Sequence, residues 1–239
     1  MKTVGIIGGS GYTGGELLRL VVHHPSLKLD FVYSSTRPGT FIDETHQDLL
    51  GQFELEFTDQ INTEVDILFL CLGHGNSSKF LKNHTFSNST IIIDLSNDFR
   101  LKKDSKINER EFVYGLPEIN RTAIKKARSI ANPGCFATAI QLALLPLASR
   151  NKLNNAIHIN ATTGSTGAGV SSSATTHFSW RNNNLSWYKP FTHQHLGEVK
   201  ETLHQAQGKN TEIIFLPQRG NFTRGIFATA YTFFEENLD

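Results

Sequence analysis

The sequence predicts an α/β protein in two parts, an N-terminal Rossmann domain with a parallel sheet and a second α+β domain. Three observations support this prediction. Short apolar, β-branched runs alternate with helical segments in the first half, which is typical of a parallel sheet with right-handed crossovers. A glycine-rich loop follows the first apolar run, and near residue 133 a long apolar helix leads into a polar, strand-rich half. We therefore expect domains at residues 1–132 and 133–239.

The apolar runs and their periodicity predict the individual elements. In the first half the predicted strands are VGIIG (4–8), LKLDFVYSS (27–35), VDILFLCLG (65–73) and TIIIDLS (90–96). One predicted helix follows the glycine loop and stops before Pro25, and another spans 76–84. In the second half we expect a helix over GCFATAIQLALLPLAS, a strand and loop within 155–169, a helix at 195–206, and strands at 212–217 and 225–234.

Composition excludes several classes of partner. The net charge is +1 and charged residues make up 19%, so no overall field attracts nucleic acid or an anionic membrane. No run approaches the roughly 20 apolar residues that a membrane span requires. The chain has 2 cysteines, too few for a disulfide framework, which favours a reducing cytoplasm. We expect a cytoplasmic protein with a small-molecule partner.

The glycine loop is the first candidate site. Gly8, Gly11 and Gly14 follow a strand and open a helix with GxxGxxG spacing, which suits a dinucleotide pyrophosphate at a helix N-terminus. The alternative is a glycine turn that holds no ligand. The predicted cofactor contacts at the ends of the first and third strands are Gly8, Ser10, Gly11, Tyr12, Thr13, Gly14 and Gly73.

The end of the second strand indicates which dinucleotide binds. An NAD enzyme usually places a carboxylate there for the ribose 2′-hydroxyl, whereas this chain has Ser34, Ser35, Thr36 and Arg37. Hydroxyls and a guanidinium suit a 2′-phosphate, so the sequence favours NADP over NAD, with contacts from Ser34, Ser35 and Arg37. The alternative is that Arg37 is a solvated loop residue.

Cys135 is the candidate nucleophile. It follows Pro133 and Gly134 at the start of an apolar helix, where the helix dipole and unpaired N–H groups favour the thiolate. The alternative is a small buried residue, the role that we assign to Cys71, which lies inside an apolar strand.

A nucleophilic thiol requires a partner that moves protons, and the segment THQHLGEVK supplies candidates. On a helix that begins near residue 195, His195 and Glu198 share a face, so the carboxylate can orient the imidazole. His193 is the second candidate. A metal site that combines these residues with His177 is the alternative, but no further ligand is evident and we expect no metal.

Two loops and several arginines are candidate anion sites. The small-residue loop TTGSTGAGV (162–170) can present N–H groups and hydroxyls, and DLSNDFR (94–100) ends a strand with a possible guanidinium clamp. From these we predict Ser165 and Gly167 as cofactor contacts. The predicted substrate contacts are Arg100, Asn132, Ser165 and Arg181. Arg224 is a further candidate, with a structural role as its alternative.

Taken together, these motifs resemble the N-acetyl-γ-glutamyl-phosphate reductases, which are relatives of aspartate-semialdehyde dehydrogenase. The segments that carry the resemblance are GIIGGSGYTGGELLRL (5–20), HGNS (74–77), IDLSNDFR (93–100), YGLPEINR (114–121), ANPGCFATA (131–139), TGSTGAGV (163–170), HQHLGEVK (193–200) and RGIFA (224–228). The resemblance implies that an N-acyl-γ-glutamyl phosphate is reduced to its semialdehyde in arginine biosynthesis. It also implies NADPH as hydride donor, a thioester on Cys135, a histidine of HQH as acid/base, and a homo-oligomer, either a tetramer or a dimer.

The chain departs from the family pattern in two places. HQHLGE stands where the family usually has HRHxPE, and family members continue past residue 239 into a DNLxKG-type segment and a further helix. We therefore expect the chain, and its second domain, to be incomplete. The sequence leaves open His193 or His195 as the acid/base, and an acetyl or a succinyl group on the substrate amine. Two other functions also remain: the same chemistry on aspartyl or aminoadipyl phosphate, and a non-catalytic nucleotide-binding protein.

Overall fold

A six-stranded parallel sheet forms the centre of the N-terminal unit, which comprises Met1–Asn132. The computed structural model describes residues 1–52 and 54–234. In chain order the elements of this unit are β1 (Lys2–Ile7), α1 (Tyr12–Val22), β2 (Leu27–Tyr33), α2 (Ile42–Thr45), β3 (Ile67–Leu70), α3 (Asn76–Asn83), β4 (Ile91–Asp94), β5 (Lys106–Ile107), β6 (Arg110–Glu111), β7 (Val113–Tyr114), α4 (Pro117–Lys126) and β8 (Ser129–Ala131).

The strand order of this sheet is β2-β1-β3-β4-β8-β7, and every neighbouring pair is parallel. The central strands are apolar on both faces: Ile6, Leu68 and Ile92 are fully buried. This is the burial expected of a sheet covered by helices on its two sides. The predicted Rossmann-type parallel sheet is confirmed, and the four predicted strands and both predicted helices are present.

The structure adds elements that the pattern did not predict. β7 and β8 have two and three residues, too few to show a periodicity, and they exist because β8 pairs with both β4 and β7. The helix α4 was also not predicted; none of its residues is buried, and its backbone angles are non-helical at Asn120. The strands β8 and β7 extend the sheet beyond β4.

A four-stranded mixed sheet and two long helices form the second unit, Pro133–Asp239. In chain order its elements are α5 (Cys135–Ala148), β9 (Ile157–Thr163), α6 (Phe178–Arg181), β10 (Ser186–Trp187), α7 (His195–Gln207), β11 (Ile213–Arg219) and β12 (Ile226–Tyr231). The sheet order is β10-β11-β9-β12, in which β9 and β11 are parallel and the two outer strands are antiparallel to their neighbours.

The core of the second unit lies between α5, α7 and one face of the sheet. Phe136 and Ile140 on α5 meet Val199 and Leu203 on α7, and Phe215 comes from β11. The predicted α+β architecture is confirmed. The predicted domain also includes residues 235–239, which lie outside the described residues. Among those described, no helix has both the length and the apolar character needed to cross a bilayer.

Candidate active site

The loop between β1 and α1 folds tightly enough to require glycine at specific positions. Gly8 has a φ of +82°, in the left-handed region. A Cβ on Gly14 would lie 2.6 Å from the Cα of Gly9 and 2.7 Å from the carbonyl oxygen of Gly8. Both are main-chain atoms that cannot move aside, so the start of the helix packs directly on the loop.

The N-terminus of α1 fits an anionic group. Its N-cap residue is Gly11, which provides no side-chain cap, and its first turn contains no acidic residue. The first N–H groups of any helix lack acceptors within the helix, and here they belong to Tyr12, Thr13 and Gly14. A Cβ on Gly11 would meet only the carbonyl oxygen of Gly8, at 3.6 Å, so space remains for a phosphate beside the main chain. The residues present therefore fit a dinucleotide pyrophosphate.

Ser34, at the end of β2, is buried, and its hydroxyl is engaged within the protein. It lies 2.9 Å from the hydroxyl of Ser10 and 3.3 Å from that of Thr36. The side chains of Ser35 and Arg37 are exposed. Ser34 thus joins the glycine loop to the end of β2, while Ser35 and Arg37 are the groups that can meet a ribose phosphate from solvent.

The loops after β3 and β4 are tied together by Asp98. Its carboxylate accepts the N–H of Gly75 at 2.7 Å and the N–H of Ser78 at 2.9 Å, which caps the start of α3. Gly73, the predicted cofactor contact in this region, is exposed beside them. Asp94 is fully buried, and burial raises the pKa of its carboxyl group. The ends of β3 and β4 therefore form one rigid edge in the first unit.

Arg100 and Asn132 are brought together at this edge. The Nε of Arg100 donates to the carbonyl oxygen of Asn132 at 2.8 Å, and its Nη2 donates to that of Leu95 at 2.9 Å. The N–H of Asn132 donates to the carbonyl oxygen of Asp94 at 2.8 Å. Arg100 is buried and Asn132 is exposed. The structure thus gives Arg100 a definite role in anchoring the main chain, and its contact with substrate stays a prediction.

The two cysteines occupy contrasting environments. Cys135 is the first residue of α5, is exposed and follows the N-cap residue Gly134. Cys71, just after β3, is partly buried, and desolvation together with the nearby Asp94 raises the pKa of its thiol to about 12. The thiol of Cys71 therefore stays protonated at neutral pH, whereas Cys135 is accessible to a substrate.

Glu198 links the residue before Cys135 to a histidine. Its Oε2 accepts the main-chain N–H of Gly134 at 2.8 Å, and its Oε1 lies 4.0 Å from Nε2 of His195. A Cβ on Gly134 would collide with the ring of His195, so the imidazole packs directly on that main chain. His195 and Glu198 lie on the first turn of α7, as the spacing predicts, and both are buried.

His193 lies beside His195, and its ring is largely withdrawn from solvent. Its Nδ1 accepts the N–H of His195 at 3.2 Å, and the two ring centroids are 4.6 Å apart. Burial, assisted by the charge of Lys189, lowers the pKa of His193 to about 4. His193 is therefore neutral at pH 7, with Nδ1 as the acceptor and its proton on Nε2.

Tyr188, which the sequence analysis did not single out, lies near Cys135, and Arg219, also not singled out, lies over the ring of Tyr188. The Tyr188 ring centroid is 5.5 Å from that of His193 and 6.3 Å from that of Phe136. Burial and the neighbouring Cys135 raise the pKa of Tyr188 to about 12. The Cζ of Arg219 lies 4.5 Å from the Tyr188 ring centroid. No local pattern identifies either residue: Arg219 is opposite Ser186 in the pairing of β10 with β11, and the N–H of Tyr188 donates to the carbonyl oxygen of Pro217.

The loop after β9 is held by the loop before β12. The N–H of Ser165 donates to the carbonyl oxygen of Phe222 at 2.8 Å, and the hydroxyl of Thr166 donates to the carbonyl oxygen of Thr223 at 2.7 Å. Gly167 is exposed at the tip and Ser165 is half-buried. The predicted ligand contacts of Ser165 and Gly167 stay predictions.

His177 is not part of a metal site in the described residues. Its Nδ1 accepts the N–H of Ser179 at 3.2 Å and caps α6. Across residues 1–52 and 54–234, no group of three histidine, cysteine or acidic side chains has the arrangement that a metal ion needs.

Comparisons with known proteins match both units. Residues 3–127 match a family described as semialdehyde dehydrogenase, NAD binding domain, and residues 135–239 match one described as semialdehyde dehydrogenase, dimerisation domain. An N-acetyl-γ-glutamyl-phosphate reductase of Flavobacterium johnsoniae is 61% identical over 100% of this chain and 74% of its own length. The reductase of that name from Christiangramia forsetii is 57% identical with the same coverage.

Solved structures of aspartate-semialdehyde dehydrogenases share the fold. The enzyme II of Vibrio cholerae, complexed with ASA, superposes with a TM-score of 0.73 at 17% identity, covering 96% of this chain and 73% of that one. The Candida albicans enzyme with NADP superposes with a TM-score of 0.71 at 14% identity, and the match covers 100% of this chain and 73% of that one. At this identity the likeness establishes the fold alone.

Proposed function

The chain belongs to the semialdehyde dehydrogenase family, and on that basis we propose that it is an NADP-dependent reductase of N-acyl-γ-glutamyl phosphate. It reduces the acyl phosphate to the corresponding semialdehyde and releases phosphate, a step of arginine biosynthesis. The similarity to reductases of this name at 61% and 57% identity supports the assignment. The observation that carries the chemistry is the exposed Cys135 at a helix N-terminus, next to the Glu198–Gly134–His195 contacts.

The first unit supplies the groups that hold the dinucleotide. The N–H groups at the start of α1 fit the pyrophosphate, and Ser35 and Arg37 fit the 2′-phosphate that distinguishes NADP from NAD. When bound, NADPH supplies the hydride that reduces the acyl group. The exposed loop residue Gly73 lies at the carboxyl edge of the same sheet, where ligands of such sheets bind.

Cys135 acts as the nucleophile. Its thiolate attacks the γ-carbonyl carbon, the carbon–sulfur bond forms, and the carbon–oxygen bond to phosphate breaks with its electron pair on the leaving phosphate. The product is a thioester on Cys135, which divides one difficult step into two. The position of Cys135 at the start of α5 supports this role, because the positive end of the helix dipole stabilises a thiolate.

His195 serves as the acid/base. It takes the proton of Cys135 when the thiolate forms, and it returns a proton to the sulfur when the hemithioacetal alkoxide collapses to aldehyde and thiol. Glu198 is a positioning residue, since its two oxygens reach Gly134 and His195. His193 is less suited to donate a proton at neutral pH, because its pKa of about 4 keeps it neutral.

A homo-oligomer is part of this proposal, as a tetramer or a dimer. The second unit matches a dimerisation domain, and its described surface exposes large apolar side chains. They include Phe178, Trp180, Trp187, Phe191, Phe227 and Tyr231. Exposed apolar area of this extent is typical of a surface that another chain covers. Light scattering on the purified protein tests the proposal: a monomer at micromolar concentration would contradict it. The exposed thiol of Cys135 fits a reducing compartment, so we expect the cytoplasm.

Steady-state assays test the activity directly. The protein should oxidise NADPH in the presence of N-acetyl- or N-succinyl-γ-glutamyl phosphate and release one phosphate for each NADPH. Aspartyl and aminoadipyl phosphates should be much poorer substrates. Binding of NADPH without phosphate release from any acyl phosphate would instead indicate a nucleotide-binding protein.

A further inference from the structure

A buried histidine in the first unit holds the main chain of the glycine loop. His46 follows α2 directly and is only 8% exposed. Its Nε2 lies 2.8 Å from the carbonyl oxygen of Gly9, 37 positions earlier in the chain. Because a carbonyl oxygen can only accept a hydrogen bond, Nε2 carries the proton and donates it to Gly9. The chemistry proposed at Cys135 makes no use of this side chain.

The imidazole of His46 has one fixed position beside the start of α1. A Cβ on Gly15 would lie 2.6 Å from Cε1 and 2.7 Å from Nδ1 of His46, so any side chain at Gly15 would displace the ring. The buried Phe57 meets the ring edge-on, with 6.3 Å between centroids. The same segment is fastened to α1 a second time, because the carboxylate of Asp48 accepts from Nε and Nη2 of Arg19 at 2.6 and 2.8 Å.

The contact with His46 also determines where the N–H of Ser10 points. The carbonyl of Gly9 and the N–H of Ser10 belong to one trans peptide, in which the two groups point in opposite directions. Gly9 and His46 are buried, whereas Ser10 is half-buried, so the N–H of Ser10 is directed toward the accessible side of the loop. Within residues 1–52 and 54–234, no group accepts this N–H.

An unpaired N–H in this position suits the pyrophosphate of a dinucleotide. Such a group binds at a helix N-terminus and receives main-chain N–H groups of the loop before the helix. Rotation of the peptide between Gly9 and Ser10 would instead turn a carbonyl oxygen toward the phosphate, which repels it. The hydrogen bond from His46 opposes this rotation. It also polarises the peptide, which makes the N–H of Ser10 a stronger donor.

We propose that His46 is a positioning residue of the cofactor site: by donating to the carbonyl oxygen of Gly9, it holds the N–H of Ser10 toward the pyrophosphate of NADPH. The inference rests on the proposed function, because it takes the dinucleotide to lie at the N-terminus of α1. His46 acts through the main chain and does not itself contact the cofactor. It therefore sets the affinity for NADPH and not the rate of the steps at Cys135.

The experiment compares His46→Leu and His46→Gln with wild type. Leucine cannot donate a hydrogen bond, whereas the side-chain amide of glutamine can still donate to the carbonyl oxygen of Gly9. In His46→Leu we expect Kd and KM for NADPH to rise about tenfold with kcat changed by less than about twofold, and in His46→Gln we expect most of the affinity to return. Gly15→Ala, which displaces the ring and retains the histidine, should raise Kd for NADPH in the same way. His23→Leu, at an exposed position after α1, is the matched control and should leave Kd unchanged.

A second ligand separates positioning from a general disturbance of the first unit. Adenosine 2′-monophosphate carries the adenine, the ribose and the 2′-phosphate of NADPH but no pyrophosphate. Its Kd should therefore be the same in wild type, His46→Leu and Gly15→Ala. Calorimetric titration measures both ligands and requires no turnover.

Three results would overturn the inference. The first is an unchanged Kd for NADPH in His46→Leu, or in Gly15→Ala if His46→Leu does not fold. The second is an equal rise of Kd for NADPH and adenosine 2′-monophosphate, because the residue would then act on the fold of the unit. The third is a rise in His46→Gln as large as in His46→Leu, because the donor would then not matter. Failure of wild type to bind NADPH would refute the cofactor site and this inference together. Binding of NADPH without turnover of any acyl phosphate would refute only the proposed reaction, since the Kd values still decide the role of His46.

Discussion

The main-chain N–H of Gly134 donates to Oε2 of Glu198 at 2.8 Å, although the two residues are 64 positions apart in the chain. This contact joins the start of α5, where Cys135 lies, to the first turn of α7, where His195 lies. The ring of His195 packs on Gly134 with no space for a Cβ. The candidate nucleophile and the candidate acid/base are therefore positioned by one buried carboxylate.

Glu198→Gln should separate positioning from charge. A glutamine oxygen can still accept the N–H of Gly134, so we expect a melting temperature close to wild type and a kcat about tenfold lower. Glu198→Ala leaves that buried N–H without an acceptor and should also destabilise the protein by about 1–3 kcal/mol. The two variants are compared by calorimetry and steady-state kinetics. Equal kcat values for wild type and Glu198→Gln would show that the charge of Glu198 has no role in the mechanism.

Cys135→Ser should abolish turnover and leave the affinity for NADPH nearly unchanged, because the dinucleotide contacts are in the first unit. Cys71→Ser is the control, since the thiol of Cys71 has a pKa of about 12 and is held protonated by its surroundings. It should cost stability and not chemistry. Activity assays and fluorescence titration with NADPH distinguish the two variants. Loss of turnover in well-folded Cys71→Ser protein would contradict the assignment of Cys135 as the nucleophile.

Ser35→Asp should reduce the preference for NADPH over NADH by tenfold or more. An exposed carboxylate at the end of β2 would repel the 2′-phosphate, and the side chain of Ser35 faces solvent whereas Ser34 is buried. Asn88→Asp, which adds the same charge in the exposed loop before β4, serves as control. The ratio of the two dissociation constants is measured for each protein. Equal binding of NADH and NADPH by wild type would show that this loop does not select NADP.

Gly14→Ala and Gly11→Ala should differ in a way that separates folding from binding. At Gly14 a Cβ would lie 2.6 Å from main-chain Cα of Gly9, so we expect a clear drop in melting temperature together with loss of NADPH binding. At Gly11 a Cβ has space, with its nearest contact at 3.6 Å, so folding should be preserved. The added methyl should nevertheless weaken NADPH binding, since it faces the predicted pyrophosphate position. Tight NADPH binding by both variants would contradict the site.

Stability should fall as the pH is lowered from about 6.5 to about 4, partly through His193. Its pKa is lowered from 6.5 to about 4 in the folded protein, so in this range the unfolded chain binds the proton more readily than the folded chain. The contribution of neutral His193 to the free energy of unfolding is therefore complete above pH 6.5 and is lost as the pH falls through 4. His193→Gln should flatten this part of the profile by about 1–2 kcal/mol.

The control for this profile is His204→Gln, which alters an exposed histidine on α7. Urea unfolding at several pH values gives the free energy of unfolding for wild type and both variants. If His193→Gln and wild type show parallel profiles between pH 4 and 6.5, His193 does not contribute as described.

Local sequence patterns were sufficient to predict many elements of the fold and several residues of the candidate site. The glycine spacing after β1, the proline and glycine before Cys135, and the spacing of His195 and Glu198 on one helical turn all act through neighbours in sequence. Backbone angles, helix ends and helix faces depend mainly on such neighbours, so the order of the residues is enough to predict them. The parallel sheet and the start of α7 followed from this reasoning, whereas the short strands β7 and β8 did not.

Only the tertiary structure decided which of these residues meet and which are occupied by other contacts. The hydroxyl of Ser34 is buried against Ser10, Arg100 is anchored to main-chain carbonyl oxygens, and Arg219 reaches Arg181 through the pairing of β10 with β11. The lowered pKa of His193 likewise depends on what surrounds its ring. Strand register and desolvation are produced by segments far apart in the chain, and no local pattern records them.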